Sequence, residues 1–160
     1  MTTEGNNNVL KGIPSIEDAF VVIVRTEWNQ DIIDRLLEGC TQVLDANGIR
    51  YKIFTVPGAV EIPFAIKSHA DNNVIKADAY IALGAVIQGG TPHFDYVCKF
   101  VTEGILQLNL TISIPVVFGV LTLNSKEQAF ERTGGIHGHK GEEAAITAIK
   151  MIALNRDLGM

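Results

Sequence analysis

The chain has 160 residues, with 18 acidic and 13 basic side chains and a formal net charge of −5 at pH 7. An acidic protein repels nucleic-acid phosphates and anionic membranes, so neither is expected as a partner. The length fits one domain spanning residues 1–160. The hydrophobic fraction of 47% exceeds what a small monomer needs to bury, which predicts an oligomer.

The chain carries no feature that predicts export or membrane insertion. Residues 1–8 are polar and lack the basic and apolar regions of a signal peptide. Apolar runs such as residues 79–87 are far shorter than the roughly 20 residues that cross a bilayer. Cys40 and Cys98 are too few for a disulfide framework, and we expect both to be reduced and buried. These features predict a cytoplasmic protein.

Strands and helices are predicted to alternate along the chain. Residues 9–12 form a short apolar patch, and we expect residues 1–12 to be an arm that contacts a neighbouring subunit. Apolar and β-branched runs predict strands, and apolar periodicity predicts helices. In chain order they are strand 20–24, helix 31–46, strand 51–56, helix 60–70, strand 80–87, helix 94–110, strand 115–121, helix 125–132 and helix 141–155.

Several of these elements carry boundary or packing signals. Asn47-Gly48 is expected to end the first helix, and Ser125 begins a sequence that fits a capping box. The last helix has a stripe of mainly small residues, which predicts close packing. The stripe consists of Ala144, Ala145, Ala148, Ile149, Ile152 and Ala153.

Three of the four strands lack alternating polarity, which is typical of parallel strands buried on both faces. With right-handed crossovers, the order predicts a three-layer α/β fold, a flavodoxin-like, doubly wound parallel sheet with helices on both faces. Ligands bind such sheets beyond the carboxyl ends of the strands. The loops that follow the strands are therefore the candidate site.

The first two loops each allow two interpretations. Trp28 either packs as a helix-starting staple, with Asn29 as the cap, or offers its indole face to a planar heterocycle. Glu61 either stabilises a helix N-terminus or binds a ligand together with nearby backbone amides. The residues alone leave both questions open.

The third loop, residues 84–93, is rich in glycine and leads directly into a helix. It lacks the Lys and Ser or Thr of a Walker loop, so a nucleoside triphosphate is not expected. A nest of amides at Gly89, Gly90 and Thr91 is suited to a single phosphate. A lone histidine is more often structural, but the position of His93 beside this nest favours proton transfer.

The fourth loop, residues 132–141, links two helices and carries His137 and His139. Neither histidine has acidic or cysteine partners nearby in sequence, so we expect solvated side chains and no metal. Arg132 fits either a helix C-terminal cation or a phosphate ligand.

Five motifs on these loops occur in order over almost the whole chain. They are Glu27-Trp28-Asn29, Pro57-Gly58-Ala59-Val60-Glu61-Ile62-Pro63, Leu83-Gly84-Ala85-Val86-Ile87-Gln88-Gly89 with Thr91 and His93, Phe118-Gly119-Val120-Leu121-Thr122, and His139-Lys140-Gly141. Each motif alone is weak evidence. Together they resemble the lumazine synthase family, and their common order makes chance a poor explanation.

The resemblance implies condensation of 5-amino-6-(D-ribitylamino)uracil with 3,4-dihydroxy-2-butanone 4-phosphate to 6,7-dimethyl-8-ribityllumazine, the penultimate step of riboflavin biosynthesis. No cofactor and no metal are implied. It also implies a homo-oligomer, either a pentamer or an icosahedral capsid of sixty subunits, with active sites at subunit interfaces. Riboflavin synthase is a further candidate partner. The absence of an obvious insertion between Arg132 and Lys140 slightly favours the capsid.

The resemblance assigns roles by matching positions. His93 corresponds to the proton-transferring histidine, and Trp28 to the aromatic residue that stacks on the pyrimidine. Phe118 and Arg132 correspond to residues donated by a neighbouring subunit, where the arginine binds phosphate. The other implied substrate-binding residues are Ala59, Val60 and Glu61 for the ribityl chain, Ala85, Val86 and Ile87 for the pyrimidine edge, Gly90 and Thr91 for the phosphate, and Lys140.

Three positions depart from the family pattern. Gln88 replaces a basic residue, Val60 an aromatic residue and Pro92 a hydroxyl residue that many relatives carry. The loss of a cation at Gln88 is expected to weaken an anion site. Two alternatives to catalysis are a flavin- or lumazine-binding module and an oligomeric shell protein with a decayed site. The retention of the key ligand-binding and catalytic residues argues against decay.

Overall fold

The computed structural model describes residues 12–72 and 74–159, so all of the expected arm except Gly12 lies outside the described residues. Four parallel strands form a sheet in the order β2-β1-β3-β4. They are β1 (Phe20–Thr26), β2 (Arg50–Val56), β3 (Ala79–Ile87) and β4 (Val116–Leu123). This order confirms the predicted flavodoxin-like, doubly wound sheet.

Helices cover both faces of the sheet. They are α1 (Gln30–Ala46), α2 (Ile62–Asn72), α3 (His93–Thr111), α4 (Lys126–Glu131) and α5 (Lys140–Asp157), with a short 3-10 turn at Ala59–Glu61 before α2. One core cluster joins α1 and α5 to the sheet, and a second joins α2 and α3 to the opposite face. The predicted elements match these bounds within two residues at each end.

Strand burial follows position in the sheet. In β1 and β3 nearly every residue is buried, because helices pack on both faces of these central strands. β2 lies at an edge of the sheet, and its residues alternate partly between exposed and half-buried. Within the described residues, no helix is both long and apolar enough to cross a membrane.

Of the two helix boundaries with predicted signals, one follows the expectation and one does not. Asn47 and Gly48 end α1 as predicted, with Gly48 in the left-handed region at φ 66°. The capping box at Ser125 is wrong, because its side chain makes no capping hydrogen bond. Gln128 Oε1 instead accepts a hydrogen bond from the backbone N–H of Asn124 at 2.8 Å.

The link between α4 and α5 contains a small hairpin that the sequence does not predict. β5 (Thr133–Gly135) pairs antiparallel with β6 (Gly138–His139). Strands of two or three residues are too short to show a periodic pattern. The expectation that His139 is a solvated loop residue is wrong, because its Nδ1 accepts hydrogen bonds from the N–H groups of Gly141 and Glu142 at the start of α5.

The two cysteines also differ from each other. Cys40 is buried in α1, as expected, and burial raises the pKa of its thiol to about 12. Cys98 on α3 is only partly buried, so the expectation that both are buried is wrong for this residue. Cys98 lies one turn before the buried Val101 but next to the exposed Lys99, which places it at the margin of the packed face of α3.

Close packing of α1 against α5 depends on glycine. A Cβ atom at Gly141 would lie 2.0 Å from the backbone oxygen of Leu36, which is closer than any real contact. His139 also packs beside Gly39 of α1, where an added Cβ would lie 2.2 Å from the imidazole Cε1. The predicted stripe on α5 is largely confirmed, since all of its residues except Ala153 are buried.

Gly141→Ala is expected to destabilise the fold by about 2–3 kcal/mol, because a backbone atom of α1 cannot move aside as a flexible side chain would. The measurement is the midpoint of thermal unfolding compared with the unsubstituted chain. Gly89→Ala is the matched control, since an added Cβ there meets nothing within 4 Å. Equal midpoints for both variants would contradict the close-approach argument.

A buried histidine links α2 to the sheet. His69 is 7% exposed, and its Nδ1 lies 2.9 Å from the hydroxyl oxygen of Tyr80. The imidazole also packs against the rings of Phe54 and Tyr80. Burial lowers the pKa of His69 from its ordinary value of 6.5, and the charges of Lys52 and Lys76 lower it further.

The free energy of unfolding is expected to fall as pH drops below about 6.5, because the unfolded chain then binds a proton at His69 that the folded chain resists. The contribution is fully present above pH 6.5 and is lost as pH falls through the lowered pKa. Denaturant unfolding from about pH 8 to about pH 5 measures this dependence. His69→Gln should flatten the slope, and an unchanged slope in that variant would assign the dependence to other groups.

Candidate active site

A cleft of about 390 Å³ opens at the carboxyl ends of β1, β2 and β3. Its wall is formed by the loops that follow these strands and by the first turns of α3. The strands are parallel, so their carboxyl ends meet at one edge of the sheet, which is the edge predicted to bind a ligand. The cleft is mostly lined by apolar atoms, with a few polar groups between them.

Trp28 lies in this cleft with its side chain 70% exposed. The exposure shows that the interpretation of Trp28 as a packed staple is wrong, and the indole remains available for stacking. Its backbone N–H donates to the oxygen of Pro57 at 3.3 Å. The indole edge approaches Gly58, where an added Cβ would lie 3.6 Å from the ring.

Asn29 occupies the N-cap position of α1, but its side chain makes no capping hydrogen bond. Its Nδ2 instead donates to the backbone oxygen of Ala85 at 2.9 Å. This bond connects the end of the Trp28 loop to the end of β3. The sequence-based expectation of Asn29 as a side-chain cap is therefore wrong.

Glu61 lines the cleft at the end of the 3-10 turn. Its Oε2 accepts a hydrogen bond from the N–H of Gly58 at 2.9 Å. One carboxylate oxygen thus stabilises the start of the turn while the side chain faces the cleft. Both interpretations of Glu61 remain compatible with this geometry.

The glycine-rich loop brings His93 to the cleft as the first residue of α3. The backbone N–H of His93 donates a hydrogen bond to Thr91 Oγ1 at 3.4 Å. His93 is an exposed residue. Neither Gly89 nor Gly90 has a positive φ, so the loop does not form a nest of alternating handedness. The first turn of α3 is the feature that would attract an anion.

Nine of the thirteen predicted site residues line this cleft. They are Trp28, Ala59, Val60, Glu61, Ala85, Val86, Ile87, Thr91 and His93. Gly90 lies between the lining residues Gly89 and Thr91 without lining the cleft itself. Phe118, Arg132 and Lys140 are not part of it.

Three lining residues belong neither to the thirteen predicted site residues nor to the five motifs. Phe94 is next to His93 in the first turn of α3, and Val97 follows His93 by four positions, so helical periodicity was a usable signal for Val97. Thr26 is a buried polar residue, 1% exposed, at the carboxyl end of β1. A polar residue at the carboxyl end of a strand whose first five residues are apolar was the available signal there.

Arg132 and Lys140 lie beside Glu143 at the start of α5, away from the cleft. Arg132 follows α4, where its guanidinium donates to the backbone oxygen of His137 and lies 3.5 Å from a carboxylate oxygen of Glu143. The Lys140 ammonium lies 3.8 Å from the same oxygen of Glu143. Lys140 and Phe118 line a second cavity of about 340 Å³ beside β4.

The described residues that line the cleft include no lysine or arginine for a phosphate. This lining contains Glu61 and His93 as ionisable groups. Asp95 adds a negative charge in the first turn of α3. The described residues also contain no group of three His, Cys, Asp or Glu side chains suited to a metal ion.

Comparison with known proteins agrees with this architecture. The sequence model of the 6,7-dimethyl-8-ribityllumazine synthase family matches residues 18–156. A protein of that name from Bacteroides fragilis is 49% identical over 133 residues, covering 81% of this chain and 92% of the relative. A second, from Parabacteroides distasonis, is 44% identical over 143 residues and covers 88% of each chain.

A third relative of the same name, from Cytophaga hutchinsonii, is 47% identical over 144 residues, covering 88% of this chain and 89% of the relative. The match extends over all four strands of the sheet and over every loop that lines the cleft. The chain therefore belongs to the 6,7-dimethyl-8-ribityllumazine synthase family.

Proposed function

We propose that this chain catalyses the condensation of 5-amino-6-(D-ribitylamino)uracil with 3,4-dihydroxy-2-butanone 4-phosphate to 6,7-dimethyl-8-ribityllumazine. The observation that carries the proposal is the single cleft in which an exposed indole, an apolar strand end and an imidazole face the same space. Family membership supplies the reaction, and the cleft supplies surfaces of matching chemistry. An open indole face suits a pyrimidine ring.

The reaction needs proton transfer at several steps. The 5-amino group of the uracil attacks the ketone, and the adduct loses water to form an imine. Phosphate is then eliminated, and ring closure by the ribitylamino nitrogen on the remaining carbonyl releases a second water. Each step moves a proton to or from nitrogen or oxygen, and imidazole is the side chain that exchanges protons most readily near neutral pH. His93 is the histidine that lines the cleft among the described residues, so we assign it this role.

Positioning supplies much of the remaining acceleration. Holding two substrates face to face converts a bimolecular encounter into an intramolecular step, which lowers the barrier by up to about 7–11 kcal/mol. In the proposed arrangement, the uracil stacks on Trp28 against Ala85, Val86 and Ile87, and its ribityl chain extends along residues 59–61. The phosphorylated substrate lies toward Gly90, Thr91 and the start of α3.

A second copy of the chain is proposed to complete the site. The cleft has no lysine or arginine among its described lining residues, while Arg132 and Lys140 lie beside Glu143, and Lys140 lines a separate cavity with Phe118. A symmetric ring brings one surface of each subunit against another surface of its neighbour. Exposed Phe64, Tyr96 and other apolar residues of α2 and α3 provide area for such contacts.

The assembly is proposed to be a pentamer or a capsid built from pentamers, located in the cytoplasm, with riboflavin synthase as a candidate partner. The apolar area on α2 and α3 supports subunit contact without deciding between the two assemblies. Sedimentation velocity distinguishes them by mass, and co-purification tests the partner.

The central test is absorbance of lumazine formed when both substrates are mixed with the purified protein. Product formation that scales with protein concentration supports the proposal. A yellow protein that binds flavin or lumazine but forms no product would instead support the non-catalytic binding module. A colourless, inactive oligomer would support the shell protein.

His93→Ala is expected to lower kcat about 100-fold, because a group that transfers protons in the transition state contributes roughly this factor. Assembly should be unchanged, since the His93 side chain is exposed at the cleft. His137→Ala is the matched control, because His137 lies on the hairpin link outside the cleft. Wild-type turnover in His93→Ala would remove this residue from the mechanism.

Arg132→Ala is expected to raise the KM for the butanone phosphate about tenfold or more, because a charge-assisted hydrogen bond to phosphate is lost. The KM for the ribitylaminouracil should change little. Because Arg132 also contacts Glu143, circular dichroism and thermal unfolding must show an intact fold. An unaltered KM for the phosphorylated substrate would count against the assignment.

Mixed oligomers test whether the two residues act from different subunits. When His93→Ala and Arg132→Ala chains are unfolded, mixed equally and reassembled, about a quarter of the interfaces should pair an intact His93 with an intact Arg132. Activity should therefore recover well above that of either variant alone. If both residues served one cleft from the same chain, mixing would restore no activity.

A further inference from the structure

We propose that Asn29 is a positioning residue that sets the distance between the Trp28 indole and the end of β3, an inference that rests on the proposed function of the cleft. In this role, Asn29 keeps the space between the indole and β3 at the width that the planar substrate needs. The evidence is the unusual backbone of Asn29, the direction of its side chain and the end of the strand pairing beside it.

The backbone of Asn29 is left-handed, with φ 59° and ψ 44°. Asp18 is the other non-glycine residue with a positive φ among residues 12–72 and 74–159. Asparagine adopts this conformation more readily than most residues. The left-handed turn reverses the chain between β1 and α1, and so projects Trp28 over the cleft.

The side chain of Asn29 does not serve the helix that it precedes. Its backbone oxygen accepts the first hydrogen bonds of α1, from Ile32 and Ile33, at 2.9 and 3.0 Å. Its Nδ2 points away to Ala85, at 2.9 Å. A residue selected only to begin α1 would use its side chain as a cap.

The hydrogen bond to Ala85 continues the connection between β1 and β3 beyond their paired residues. The register of the two strands ends where Arg25 faces Leu83. Beyond that point, backbone hydrogen bonds tie the loop to the β2 side, from Glu27 to Val56 at 2.9 Å and from Trp28 to Pro57 at 3.3 Å. Asn29 supplies the side-chain tie on the β3 side.

Trp28 is thus held from two directions. Ala85, to which Asn29 is hydrogen-bonded, is followed in β3 by Val86 and Ile87. Both of these residues also line the cleft. Without the Asn29 amide, the Trp28 loop would stay hydrogen-bonded to the end of β2, but its distance from the end of β3 would no longer be fixed. Loss of this tie should therefore affect the stacked substrate more than the phosphorylated one.

The test compares Asn29→Asp and Asn29→Gly with the unsubstituted protein. Aspartate keeps the size and tolerates the left-handed backbone, but it places a carboxylate oxygen against the Ala85 oxygen in place of a donor. Glycine keeps the left-handed backbone and removes the side chain. Asn47→Asp is the matched control, because the Asn47 Nδ2 donates to the Val43 oxygen at the far end of the same helix.

Both Asn29 variants should raise the KM for the ribitylaminouracil about tenfold, with a smaller change for the butanone phosphate. Trp28 is the single tryptophan of the chain, so its fluorescence anisotropy reports the mobility of this loop directly. We expect lower anisotropy in both Asn29 variants, and wild-type values in Asn47→Asp.

Wild-type anisotropy and wild-type KM in both Asn29 variants would overturn the inference. A loss of thermal stability without either change would assign Asn29 a structural role only, and would overturn it too. If the unsubstituted protein formed no lumazine, the proposed function would fail. The anisotropy of the ligand-free variants would still decide the inference, because it needs no catalysis.

Discussion

Parallel pairing of β1 with both β2 and β3 is the constraint on which the cleft depends. Buried backbone N–H and C=O groups must be paired, and in this sheet the pairing aligns three strands in one direction. Their carboxyl ends consequently meet, although their loops are separated by tens of residues in sequence. Because helices cover both faces of the sheet, the loops that follow these strands lie at the edge of the sheet.

The loops at this edge are held by hydrogen bonds in addition to packing. Glu61 closes the start of its own turn, and Asn29 connects the Trp28 loop to β3. Such ties matter because loops are otherwise the most mobile part of a fold, while stacking and proton transfer need fixed geometry. The cleft therefore combines an open aromatic surface with a rigid support beneath it.

The described residues that line the cleft supply no positive charge for the phosphorylated substrate of the proposed reaction. The cleft contains a carboxylate and an imidazole, whereas the guanidinium of Arg132 and the ammonium of Lys140 both lie near Glu143. Glu143 keeps the two cations close to each other within their own subunit. In the proposed oligomer, a substrate phosphate from the neighbouring cleft would share or replace this carboxylate as their partner.

The sequence by itself determined the alternation of strands and helices, because buried strands and amphipathic helices have distinct apolar periods. It also located Trp28, Glu61 and His93 on the correct loops. The β5-β6 hairpin and the capping role of His139 are among the features that it did not predict. The hairpin is too short to have a period, and a cap depends on where the imidazole packs.

Only the tertiary structure decided which way individual side chains point. Asparagine is a residue type typical of helix N-caps, yet the Asn29 amide donates its hydrogen bond to Ala85, a residue 56 positions away. Arg132 lies in a plausible anion-binding loop, yet in its own subunit it contacts Glu143 and not the cleft. The physical reason is that local sequence determines backbone preference, while the partner of a polar side chain depends on what the completed fold brings within hydrogen-bonding distance.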